Sequence, residues 1–255
     1  MIANYHTHTW RCKHAVGTER EYVEQAIAGG VRILGFADHT PYPFPGGYVS
    51  YFRMAPQQAE DYFRTVSDLK REYAGQIEIK IGVEAEYYPA YFDDLLAFLK
   101  EFPCEYLLMG QHYIRNELDG VYAGFRTEEE DVLVQYVSQV LEGLGTGVFT
   151  YLAHPDLLHW IGDEELYRRE MTRLCRGVKE LGYPLELNLL GLGEGRHYPD
   201  HRFWEIAGEV GNAVILGCDA HEPEGICIPE TEEKARNIVA NYGLHLLDTV
   251  ELAVW

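Results

Sequence analysis

The sequence predicts an α/β fold built on a parallel sheet of seven strands, and three observations predict it. Short apolar, β-branched runs alternate with amphipathic stretches of helical length along the whole chain. The runs are almost continuously apolar instead of alternating with polar residues, as in strands buried on both faces. Each run is followed closely by histidine, aspartate, glutamate or asparagine.

The first run, residues 2–5, leads into His6-Thr7-His8, with His14 in the following loop. Residues two apart in a strand point the same way, so a strand continued through this motif turns His6 and His8 to one side. Thr18-x-x-Glu21 is a capping box that opens a helix, and Gly29-Gly30 closes it. The second run, 33–37, delivers Asp38 and His39, and a helix is expected over 56–73. The third, 77–83, delivers Glu84 and then Glu86, before a shorter helix within 91–101. The fourth, 106–109, precedes His112; Thr127-x-x-Glu130 repeats the capping signal ahead of a helix over 132–144. The fifth, 149–153, ends at His154, where Asp156 can either orient the His154 ring or cap a helix. A helix over 163–181 follows. The sixth, 185–187, ends at Asn188, with Arg196 further along a glycine-rich loop and a helix over 199–209. The seventh, 213–216, delivers Asp219 and His221, and a last helix is expected over 230–242. No Pro/Gly/Ser-rich linker or short repeat divides the chain, so one domain over residues 1–255 is expected.

In a parallel barrel the C-terminal ends of the strands converge on one face. His6, His8, His14, His39, Glu84, His112, His154, Asp219 and His221 then bring nine donors together. One ion with an open position takes three or four protein ligands, so nine suit two or three ions. Nitrogen and oxygen ligation without thiolate suits zinc, manganese or iron(II). Cys12 lies among the donors, but a complete N/O set does not need it.

Bulk composition narrows the partners. The formal charge of −20, from 41 acidic and 21 basic residues, repels phosphate backbones and argues against nucleic acid. Five scattered cysteines without a CxxC motif argue for a reducing cytoplasm rather than a disulfide framework. No signal peptide and no run long enough to span a membrane is evident.

The HxH opening, "FADH", "GVEAE", "GQH", "AHPD" and "GCDAH", in this order and with His14, resemble the polymerase-and-histidinol-phosphatase (PHP) superfamily. "HTPYPF" after the second strand and "LGLGEGRHYP" after the sixth resemble its histidinol-phosphate phosphatase branch. The resemblance implies a distorted (β/α)7 barrel holding three divalent metal ions (zinc, manganese or iron). By position, it implies that His6, His8, Glu84 and Asp219 hold the first ion and His14, His39 and His221 the second. The third shares Glu84 and adds His112 and His154; Glu84, directly after Gly82-Val83, matches the bridging carboxylate better than Glu86 does. Glu84, Asp219 and His221 take the catalytic positions. Arg196 falls in the loop matching a phosphate-binding arginine, and Arg115 is the candidate for a second. The implied reaction is hydrolysis of L-histidinol phosphate to L-histidinol and phosphate, a step of histidine biosynthesis, by a metal-bridging hydroxide.

Other readings remain open at this level: a PHP phosphoesterase acting on another small phosphomonoester, on nucleic acid or on phosphotyrosine, or a non-enzymatic metal-binding protein. A dihydroorotase-type amidohydrolase also opens with HxH, but it needs a bridging lysine, and here no lysine stands at a suitable strand end.

Overall fold

The structure, a computed structural model, describes residues 1–255. All seven expected strands form: β1 (Ala3–Asn4), β2 (Ile33–His39), β3 (Glu78–Ala85), β4 (Tyr106–Met109), and then, after an antiparallel hairpin of β5 (Tyr113–Ile114) and β6 (Val121–Tyr122), β7 (Phe149–Leu152), β8 (Leu185–Asn188) and β9 (Ala213–Gly217). A short β10 (His245–Leu246) extends the sheet, whose order is β1-β2-β3-β4-β7-β8-β9-β10. All its pairings are parallel.

The sheet curls into a distorted barrel. At the C-terminal ends of the strands, a parallel bridge between Thr7 and Ala220 ties the continuation of β1 to that of β9. His8 N donates to Ala220 O across it (2.9 Å). At the opposite end, β10 pairs with the first residues of β9, and the tail beyond it packs on the barrel interior through Leu247, Val250 and Leu252.

Helices cover the outside of the sheet: α1 (Glu19–Ala28), α2 (Ala59–Glu72), α3 (Phe92–Leu99), α4 (Glu130–Leu144), α5 (Glu164–Glu180), α6 (Leu189–Glu194), α7 (His201–Val210) and α8 (Pro229–Asn241). The Thr18–Glu21 capping box forms on α1 as expected. The second capping expectation does not hold. Glu129 occupies the N-cap of α4 without a side-chain bond, because Thr127 is drawn into a parallel bridge with Trp160. The helix α6, unexpected from its glycines, is nucleated by Asn188, whose Oδ1 accepts from Gly191 N (2.9 Å).

Period-two alternation sorts the strand side chains. On β4, Tyr106 and Leu108 join the barrel interior with Tyr5, Tyr151 and Ile215, while Leu107 and Met109 join the larger core beneath the helices. Burying each such large side chain contributes on the order of 1.5–3 kcal/mol. This apolar floor leaves the C-terminal face to the polar residues.

Candidate metal centre

Every strand-end residue that the sequence nominates as a metal ligand converges on that face. Glu84, 1% exposed at the end of β3, stands at the centre. Its Oε1 lies 2.7 Å from His154 Nε2 and 3.5 Å from His112 Nε2. Its Oε2 lies 2.9 Å from His39 Nδ1, 3.6 Å from His6 Nε2 and 3.7 Å from His8 Nε2. Asp219 Oδ1 approaches His8 Nε2 at 2.9 Å and His6 Nε2 at 3.4 Å. On the outer rim, His14 Nε2 and His221 Nε2 are 3.0 Å apart, and the two rings group with His39. Two of the five non-glycine residues with positive φ, His154 (28°) and Asp219 (50°), belong to this cluster, and such strain gathers at functional sites.

The donor set fits divalent cations. Glu84 Oε2 and His39 Nδ1 are fully buried and make no hydrogen bond despite their closeness. Burial disfavours a charged His6 or His8, yet the surrounding carboxylates raise both, His8 to about 9. Their Nε2 atoms face each other at 3.1 Å, so two protonated rings would set N–H against N–H. A cation there supplies the positive charge that the carboxylates call for and removes the clash. The Cys12 thiol is raised by burial and by Asp38, so it stays protonated and is a poor ligand.

Outer partners fix the rings. His6 Nδ1 donates to Glu186 Oε2 (2.8 Å), and Asn188 Nδ2 donates to Glu186 Oε1 (2.8 Å) and Asp219 Oδ2 (3.1 Å). His8 Nδ1 lies 3.4 Å from Asp38 Oδ1, while Thr9 Oγ1 and His39 N also donate to Asp38. His14 and His221 each direct Nδ1 at a backbone carbonyl, of Cys12 and Asp219 respectively (both 2.8 Å). His112 Nδ1 donates to Glu86 Oε1 (2.9 Å). Burial opposes ionisation of Glu86, but Arg53 and His112 outweigh it and hold the carboxyl below its usual range. Sequence reasoning missed Glu186. Its signal was a charged residue inside an apolar strand, two before Asn188 and so on the same face.

Above the cluster opens a cavity of about 400 Å³. His14, His39, His112, His154, Asp219 and His221 lie on its lining, and Tyr51, Phe52, Tyr113, Tyr122 and Tyr198 give it aromatic walls. Arg196 also reaches it, held by Glu194 Oε2 (2.7 Å from Nε) and by Tyr198 OH (2.8 Å from Nη1). A larger groove of about 700 Å³ over α5, lined by Arg168, Arg173 and Arg176 among others, has no comparable group of donors.

One expectation is corrected, and one of two alternatives for Asp156 falls away. Arg115 does not reach the cavity: its backbone is pinned by Gln139, its φ is 69°, and its exposed guanidinium donates to Asp119 O (3.1 Å). The turn after β5 carries it outward. Asp156 does not orient His154, whose Nδ1 has no partner. It accepts instead from Asp200 N (2.6 Å) and Trp204 Nε1 (3.0 Å), fastening the start of α7.

Comparison with known proteins places the chain in a family. A probable histidinol-phosphatase of Deinococcus radiodurans is 29% identical over 231 residues, covering 87% of each chain. The histidinol-phosphatase of Bacillus subtilis is 25% identical over 252 residues, covering 85% of this chain and 92% of its own. In fold, the chain is similar to a histidinol phosphate phosphatase from Lactococcus lactis, solved with zinc, L-histidinol and phosphate. The TM-score is 0.74 at 19% identity, with 98% of both chains covered. The model of the PHP domain matches residues 4–189, and the chain belongs to the PHP domain family.

Proposed function

We propose that this protein is a metal-dependent phosphomonoesterase of the histidinol-phosphatase type, hydrolysing L-histidinol phosphate to L-histidinol and phosphate. The observation that carries the reading is a nine-donor cluster opening directly into a cavity with an arginine on its wall. The names of the relatives point to the same substrate.

His6, His8, Glu84 and Asp219 would hold one ion, His14, His39 and His221 a second, and Glu84 with His112 and His154 a third. Bound zinc, manganese or iron would neutralise phosphoryl oxygens and lower the pKa of the attacking water. Arg196 would bind the phosphate through its planar fork, with Glu194 and Tyr198 fixing its direction. The aromatic walls would enclose the organic part of the substrate and exclude bulk water. Glu84, beneath the cavity, with Asp219 and His221 on its lining, would be the catalytic residues, and positioning with charge neutralisation carries most of such a reaction. We place the activity in a single domain, in the cytoplasm, without nucleic acid as partner; all five cysteines are free, and no helix is long and apolar enough to cross a membrane.

The test is phosphate release by the metal-loaded protein from histidinol phosphate, sugar phosphates, amino-acid phosphates, p-nitrophenyl phosphate and single-stranded DNA, with dihydroorotate hydrolysis alongside. Histidinol phosphate should be turned over with the highest kcat/KM. A higher value for any other substrate overturns the assignment.

A further inference from the structure

Behind His112 lies a buried ionic assembly that the proposed reaction does not use. Arg53 sits 1% exposed in the segment between β2 and α2. Its Nε donates to Glu117 Oε2 (2.7 Å), its Nη1 to Thr40 O (3.0 Å) and its Nη2 to Glu86 Oε1 (2.9 Å). Those three acceptors belong to the turn after β5, the end of β2 and the end of β3. The same Glu86 oxygen accepts from His112 Nδ1, which leaves His112 Nε2 facing Glu84. Glu117 also accepts from Tyr48 OH through its second oxygen (2.9 Å). The guanidinium lies over the Phe52 ring, 4.3 Å from its centroid, and Phe52 in turn packs edge-on against His39 (5.2 Å) and His112 (5.9 Å) on the cavity wall.

One side chain therefore joins the long connection carrying Tyr48 and Phe52, the hairpin turn, and the carboxylate that sets the tautomer of His112. Two carboxylates buried together need a cation between them, and a lysine cannot meet three divergent acceptors as a fork does. We propose that Arg53 is a positioning residue: acting through Glu86, it fixes His112 as a metal ligand, and acting through Glu117 and Phe52, it fixes the cavity wall. The proposal rests on the reading of His112 as a ligand, but it does not depend on which phosphomonoester is hydrolysed.

The experiment compares Arg53→Lys, Arg53→Met and Glu117→Gln with the wild-type zinc-loaded protein. Three quantities are read: zinc retained against a competing chromophoric chelator, kcat and KM separately, and the unfolding temperature of the metal-free protein. Loss of an outer partner of a ligating histidine typically weakens metal binding by about 10–100-fold. Arg53→Met should weaken the least tightly held zinc by about that factor, with a fall in kcat, and Arg53→Lys should recover part of the loss. Glu117→Gln should raise KM while zinc retention stays at the wild-type level. Leu133→Ala, a cavity on the buried face of α4 that removes none of the assembly's hydrogen bonds, reports what lost stability alone does. If Arg53→Met does not fold, the Arg53→Lys comparison decides. Wild-type zinc retention and kcat in Arg53→Lys, or an equal loss of zinc in Leu133→Ala, overturns the proposal. Zinc retention needs no substrate, so failure on histidinol phosphate with weakened zinc in Arg53→Lys refutes the assigned substrate and leaves this inference standing.

Discussion

Replacing Gly110 by alanine places one methyl group against the central carboxylate. Gly110 follows β4, and a Cβ built on it would fall 2.6 Å from Glu84 Cδ and 2.9 Å from Glu84 Cγ, and closer still to Oε1. Its φ is not in the left-handed region, so the cost is steric alone. Carbon–carbon contacts are optimal near ~3.5–4.0 Å, which asks Glu84 or the backbone to move by roughly 1 Å. Glu84 has no free side to move to: it is 1% exposed, with His154 Nε2 2.7 Å and His39 Nδ1 2.9 Å from its oxygens. Overpacking of this kind costs about 1–3 kcal/mol of stability. A misplacement of about 1 Å at a reacting centre can cost on the order of 100-fold in rate. Gly193→Ala is the control, because its methyl would meet only Thr231 at 3.5 and 3.8 Å, within ordinary contact. The assay is kcat on the best phosphomonoester together with metal content of the purified protein. Gly110→Ala should lower both, and Gly193→Ala neither. Wild-type metal content and kcat in Gly110→Ala would refute the reasoning that Glu84 is held without slack.

Further expectations follow from the same geometry. Glu84→Ala should abolish turnover and lower metal content, since its two oxygens face different histidines; full metal content measured by mass spectrometry would remove its bridging role. Glu186→Gln should weaken metal binding by about 10–100-fold by loosening His6, readable in a chelator competition, and unchanged affinity would make Glu186 a mere spacer. Arg196→Ala removes a charge-assisted contact worth roughly 1.5–3 kcal/mol, so steady-state kinetics should show kcat/KM lower by about tenfold to a hundredfold at constant metal content. Wild-type kinetics there would reduce Arg196 to an exposed partner of Glu194. Protons compete with metal for the histidine nitrogens, so metal retention in pH-stepped dialysis should fall as the pH falls, and a pH-independent content would contradict histidine ligation.

The site was legible in the sequence where a topological rule does the work. Parallel strands deliver their following residues to one end, so His6, His39, Glu84, His154 and Asp219 could be brought together without knowing a single distance. What escaped depends on direction rather than spacing. Arg115 is three residues from His112, but β5 lies between them and the turn that follows it directs Arg115 to solvent. Glu86 shares the face of Glu84, yet its role appears only when Arg53, more than thirty residues earlier in the chain, is seen across from it. Thr127 has the composition of a cap, but tertiary pairing with Trp160 claims its backbone. β10 has two residues, too few for any periodicity, and exists because β9 offers an open edge below the Thr7–Ala220 bridge.

The central claim, that nine convergent donors hold more than one catalytic ion, is tested most directly by counting metal against turnover. Metal-free protein is titrated with zinc, bound metal per chain is measured by elemental analysis, and histidinol phosphate hydrolysis is followed at each step. Hydrolysis should rise only as the ratio passes one ion per chain and should level off above it. Full activity at one ion per chain or fewer would contradict the account.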